Sequence, residues 1–194
     1  MRELLYYPMI HIPSEDYLRD SITNLLLEKK IKELKIPNLF TDKIVLKDDT
    51  IEEVLSGLTL VGQEISELYK LINSDWNEFT DFIKTKPPFN RVYLEGIFSK
   101  GEIPKFLFEK DEGMGGCIKY LINQGAIFEK TENINFYNDE NHKAREEFVC
   151  KKIKKTLKDS ERGLLLYGAA HALNLSKMLS SYKSINSEIY SQKD

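Results

Sequence analysis

The sequence predicts an α/β fold with a mainly parallel central sheet, helices on both faces, and site residues at the carboxyl ends of the strands. Three observations predict it. Short apolar runs of strand length recur at residues 4–10, 91–94 and 163–167. Longer stretches with apolar residues at helical spacing separate them, the alternation that builds parallel sheets. Polar side chains able to do chemistry follow those runs: His11, Glu95 and His171.

Taken in order, residues 4–10 form an apolar and aromatic run closed by His11, Ile12 and Pro13. Ser14, Glu15 and Asp16 then make an acidic helix start, and Leu18, Ile22, Leu25, Leu26 and Ile31 carry that helix to about residue 35. Residues 43–46 are a second short strand. Thr50 and Glu53 form a capping box for a helix with Val54, Leu58, Val61, Ile65, Leu68 and Ile72 on one face. A separate helix spans residues 75–84 and stops before Pro87 and Pro88. The strand at 91–94 ends in Glu95 and Gly96. Residues 113–124 are helical, with Gly125 as the stop, and residues 126–129 form a further strand. A charged helix over 139–158 presents Phe148, Val149, Ile153 and Leu157 on its apolar side, the strand at 163–167 follows, and a helix runs to about Tyr182. Residues 188–190 add a last strand.

The chain has 194 residues, enough for one α/β domain over residues 1–194 that buries roughly 70 % of its unfolded surface. Net charge is −3, from 28 basic and 31 acidic residues, without the basic excess of a nucleic-acid binder. Cys117 and Cys150 stand in helical stretches as core residues, outside any CxxC or Cys/His cluster. No apolar run approaches the roughly 20 residues of a membrane helix, and the N-terminal stretch turns polar without a small-residue cleavage site. These features make a cytoplasmic protein the expectation, with neither nucleic acid nor membrane as partner.

In open α/β sheets, ligands bind outside the carboxyl ends of the strands. His11, Glu95 and His171 follow three such ends, and Arg145 lies on the helix before the last of those strands. Each has a plain structural reading as well: a capped histidine, a turn glutamate, a surface ion pair. His142, at an exposed helix start, reads as structural. Gly168 is expected to permit a tight strand-to-helix turn, and His171 to sit in an open cleft where its removal costs little packing. The histidines form no HExxH pair, Gly168–His171 lacks the Lys and Ser/Thr of a phosphate loop, and no serine stands in a GxSxG elbow.

The segment 144–171, reading AREEF, then CKKIKK, then GLLLYGAAH, resembles the C-terminal signature of the TraB/TIKI proteins and their ChaN-like and erythromycin-esterase-like relatives. Arg145 matches their helix-opening Arg, and Gly168 with His171 matches their second GxxH. Val92–Gly96 is similar to their strand ending in Glu, and Met9–His11 to their first His strand, although Pro8 stands where GxxH places its Gly. The resemblance implies a site of His11, Glu95, Arg145 and His171. It also implies a hydrolase of peptide, ester or lactone bonds. Two imidazoles and a carboxylate, His11, His171 and Glu95, can hold a divalent ion (manganese, cobalt or zinc) with one position open for water. The alternatives are a ChaN-like protein binding haem or a small anion, with a histidine on iron and Arg145 on a propionate, and a catalytically silent interaction protein.

Overall fold

The computed structural model describes residues 2–9, 67–136 and 142–190. The chain divides into two compact units, residues 1–11 with 73–194, and residues 12–72. Of the second unit, residues 67–72 are described, and they are helical. The helix expected over 14–35, the strand at 43–46, the capping box at Thr50 and the site candidate His11 lie outside the described residues.

The first unit is built on five parallel strands: β1 (Arg2–Met9), β2 (Arg91–Leu94), β3 (Ile127–Phe128), β4 (Arg162–Gly168) and β5 (Ile185–Ile189). Their order is β3-β2-β4-β1-β5, with Leu5 opposite Leu164 in the β1–β4 register and Val92 opposite Leu164 in the β2–β4 register. Among the described residues there are four helices: α1 over residues 67–84, of which 73–84 belong to this unit, α2 (Gly113–Asn123), α3 (His142–Thr156) and α4 (Ala172–Ser180).

Side chains alternate across a strand, and both faces of this sheet are covered. Leu4, Tyr6, Tyr93, Leu165 and Tyr167 pack with Val149, Cys150 and Ile153 of α3 and Leu175 and Leu179 of α4. Tyr7 points the other way, stacked on Phe79 at 4.0 Å and edge-on to Trp76 at 4.7 Å, both on α1. Beside α1 on that face lies α2, the two lining a cavity of about 250 Å³ with Thr80, Lys84, Cys117 and Tyr120. Two-sided burial is why the strands read as continuous apolar runs, and each fully buried Leu stabilises the fold by about 1.5–3 kcal/mol. Gly163 sits where Leu4, Leu157 and Tyr93 converge, and an added Cβ would come within 2.9 Å of Leu4 Cδ1.

Pro8 lies inside a central strand, where a missing N–H normally breaks the ladder. Tyr6 accepts from the Tyr190 amide at 2.8 Å, so Tyr6 faces β5. In a parallel ladder Pro8, two residues on, faces the same side. The β1–β5 pairing has ended by then, at Tyr6 opposite Ile189. The proline therefore costs no sheet hydrogen bond.

Several boundaries differ from the sequence reading. The break expected between Ile72 and Asp75 is absent, since α1 is helical over 67–84 and Ser74 donates within it to Glu78 at 3.4 Å. On α3 the buried stripe is Arg145, Glu146, Val149, Cys150 and Ile153, whereas Phe148 is half-buried beneath Lys152. The last strand is Ile185–Ile189, because its register on β1 begins at Arg2. Gly125 ends α2 as expected, in the left-handed region at φ 78°.

From β2 the chain passes through α2 to β3 on one side; from β4 it passes through α4 to β5 on the other. The helices α2 and α4 cover opposite faces, yet β2 and β4 are neighbours. The gap between their carboxyl ends is thus the point where the winding reverses, the position at which open α/β sheets form a crevice.

Candidate functional site

The stripe that buries α3 continues past its apolar residues toward the first turn. Val149 and Cys150 lead back by one turn to Arg145 and Glu146, both buried. The core face of the helix becomes charged where it reaches the carboxyl ends of β2 and β4.

Arg145 organises the first half of the site. Its Nε donates to Glu132 Oε2 at 3.1 Å and its Nη2 to Glu132 Oε1 at 2.9 Å and Glu95 Oε1 at 2.6 Å. Glu95 Oε2 accepts the Gly168 amide at 2.6 Å, and Glu132 Oε1 accepts the Tyr167 hydroxyl at 2.9 Å. Both carboxylates are thereby bonded through each oxygen, as buried charges require. Glu132 is fully buried, and its loop is fixed to the end of β2: the Thr131 and Glu132 amides donate to the Ile97 carbonyl, each at 2.9 Å. Gly96 supplies the turn after Glu95 at φ 88°, a left-handed conformation suited to glycine.

The electrostatics follow from this packing. Burial works against the Arg145 charge, but the Glu132 hydrogen bonds and the neighbouring negative groups outweigh it and hold its pKa above the usual arginine value. Burial, then the charges of Glu132 and Glu95, push the Tyr167 phenol up as well. Tyr167 is therefore a neutral donor at physiological pH.

His171 organises the second half. It ends a 3-10 turn, Ala169–His171, directly after β4. Its side chain is 5 % exposed, and its Nδ1 lies 2.9 Å from Glu146 Oε1. Asn174 Nδ2 donates to the same oxygen at 3.4 Å. The Tyr167 ring meets His171 edge-on at 5.2 Å, and the exposed His142 ring lies 4.7 Å away.

Of the four residues expected from sequence, Glu95 and Arg145 are in direct contact, and His171 joins them through Tyr167, Gly168 and the adjoining Glu146. Two expectations are corrected. His171 is a buried, bonded side chain rather than an open-cleft one. Gly168 has ordinary extended angles (φ −51°, ψ 138°); its contribution is the amide given to Glu95 and the carbonyl that accepts the Tyr6 hydroxyl at 3.2 Å.

Glu132, Glu146 and Tyr167 were not singled out from sequence, and His142 was read there as structural. Glu132 follows β3, and the strand-end rule that found Glu95 reaches it too. Glu146 stands beside Arg145 in AREEF and one turn before Cys150. Tyr167, inside an apolar strand, carries no polar signal.

Among the described residues no three His, Cys, Asp or Glu side chains are gathered as a cation site. Glu95, a proposed ligand, is occupied by Arg145 and Gly168, while the Glu146 contact would suit an imidazole ligated through its other nitrogen. No step below is routed through a metal. Two cavities formed by described residues lie elsewhere, one between α1 and α2 and one against Gly96, Phe98 and Pro104. No helix among the described residues is long and apolar enough to cross a membrane. Compared with known family models, curated proteins and solved structures, the chain matches none.

Proposed function

We propose that this chain is a hydrolase of peptide, ester or lactone bonds, related to the TraB/TIKI group, with His171 and Glu95 at its working centre. One observation supports this above the others: Glu95 spans the reversal point of the sheet, from the end of β2 to the amide that ends β4, three residues before His171. A carboxylate fixed by two hydrogen bonds loses little on ordering, and an imidazole beside it has a nitrogen lone pair with which to accept a proton.

In this reading His171 takes a proton from water as the water oxygen bonds to the substrate carbonyl carbon. The tetrahedral centre collapses, the C–O or C–N bond breaks, and the imidazolium returns the proton to the departing alkoxide or amine. Glu95 orients the water through its remaining lone pairs. Arg145, with Nε and Nη2 committed to Glu132 and Glu95, holds the carboxylates in place instead of gripping an anionic substrate. A small-molecule or peptide substrate, a cytoplasmic location and the absence of a nucleic-acid partner belong to the same reading; the free buried thiols Cys117 and Cys150 are in keeping with a reducing compartment.

The test is a panel of esters, lactones and short peptides, assayed with and without manganese or cobalt, on wild type, Glu95→Gln and His171→Gln. Turnover lost in both folded variants supports the proposal. Full activity in either, or no turnover beside a Soret shift on adding haem, overturns it. Elemental analysis of protein purified without chelator decides between the metal-free route and one using His11, Glu95 and His171 as ligands.

A further inference from the structure

We infer that Glu146 is a positioning residue that fixes His171 as the Nδ1–H tautomer and leaves Nε2 as its basic nitrogen. An ionised carboxylate is acceptor-only, so the 2.9 Å contact between Glu146 Oε1 and His171 Nδ1 requires the proton on Nδ1. Were the Nδ1 lone pair to face that oxygen, two acceptors would stand in contact inside the protein, where an unmade hydrogen bond costs most. Both side chains are nearly inaccessible, His171 at 5 % and Glu146 at 3 %, so water cannot substitute for either partner.

The surroundings hold the pair still. Glu146 is one helical turn from Cys150 on the buried stripe of α3, and Asn174, one residue before Leu175 in the core, donates to the same oxygen at 3.4 Å. Tyr167 packs edge-on against the imidazole at 5.2 Å. Glu146 thus does for His171 what a buried carboxylate does wherever an imidazole must present one defined nitrogen. The exposed His142, one turn earlier on α3, lies against the same ring at 4.7 Å and separates it from solvent on that side.

The tautomer stands on this contact alone; its catalytic meaning rests on the hydrolase reading. The experiment is long-range proton–nitrogen correlation NMR on the uniformly nitrogen-15-labelled full chain, above the imidazole titration, with His171 assigned by its loss in His171→Gln. The expected wild-type spectrum has a protonated Nδ1 and a lone pair on Nε2. Glu146→Gln, isosteric and able either to accept or to donate, should give a mixture of tautomers. A wild-type His171 protonated at Nε2 overturns the inference, as does a Gln variant with the Nδ1–H form unchanged. Where a substrate has been found, Glu146→Gln should lower kcat by up to about 10⁴-fold, the scale for losing the carboxylate that sets the tautomer of a working imidazole, with KM unchanged. An unchanged kcat removes the catalytic half. An inactive protein with the expected spectrum leaves the tautomer standing and the hydrolase reading fallen.

Discussion

Glu95 Oε2 meets the Gly168 amide at 2.6 Å, a side-chain bond from the end of one strand to the backbone end of its neighbour. It ties together the two strands between which the winding of the sheet reverses. Replacing Glu95 by Gln keeps an acceptor for that amide and removes the charge paired with Arg145. The expected cost is about 1–2 kcal/mol in denaturant unfolding, with a fall in turnover of about 10²-fold for a misplaced attacking water. A stable but fully active Glu95→Gln protein would confine the residue to a structural role.

Arg145 is the cation shared by Glu95 and Glu132. Arg145→Met should destabilise by about 3–5 kcal/mol, because the fully buried Glu132 loses its cation and the partly buried Glu95 loses it too. Arg145→Lys should recover little, since a lysine has no fork to reach Glu132 through two nitrogens and Glu95 as well. Urea midpoints of the three proteins give the answer.

His171→Ala should cost about 1–3 kcal/mol, the penalty of leaving the buried Glu146 carboxylate short of a donor. His171→Gln, which retains an N–H donor, should lose less. Equal stabilities for wild type and the alanine variant would mean that Glu146 is satisfied by other donors.

Burial pushes the Cys117 and Cys150 thiols up to about 12. A thiol with a raised folded pKa costs nothing while both states are protonated, below the unfolded value near 8.5. Its penalty grows as pH rises from there toward about 12. Stability should therefore fall above about pH 8.5, and Cys117→Ala with Cys150→Ala should flatten that decline. Alkylation at pH 8 should proceed only as fast as the protein opens.

Much of this architecture was legible in the sequence because two-sided burial writes itself as apolar runs. The strand at Arg91–Leu94 and α2 were read within a residue of their observed ends. Arg145 and Glu95, 50 residues apart, were placed together from the strand-end rule and the family resemblance, and they meet. What stayed hidden was which charges the core would accept. Glu132 and Glu146 look like surface acids among many; the loop held against Ile97 turns Glu132 inward, and the packing of α3 on the sheet does the same for Glu146. The buried state of His171 was misjudged for the same reason: nothing local reveals that Glu146, 25 residues earlier, supplies its partner.

The pairing of β1 has a consequence for synthesis. Its described neighbours are β4 and β5, and Glu3 sits opposite Arg162, 159 residues later. β1 therefore waits for strands roughly 160 residues further along the chain before it gains this ladder. Contacts of such separation are formed late and slowly. Until β4 arrives, an apolar, unpaired Leu4–Tyr7 edge is exposed to other nascent chains, and neither Glu95 nor Arg145 has its scaffold. Pairing of β1 only after β4 has been made is the order this topology imposes.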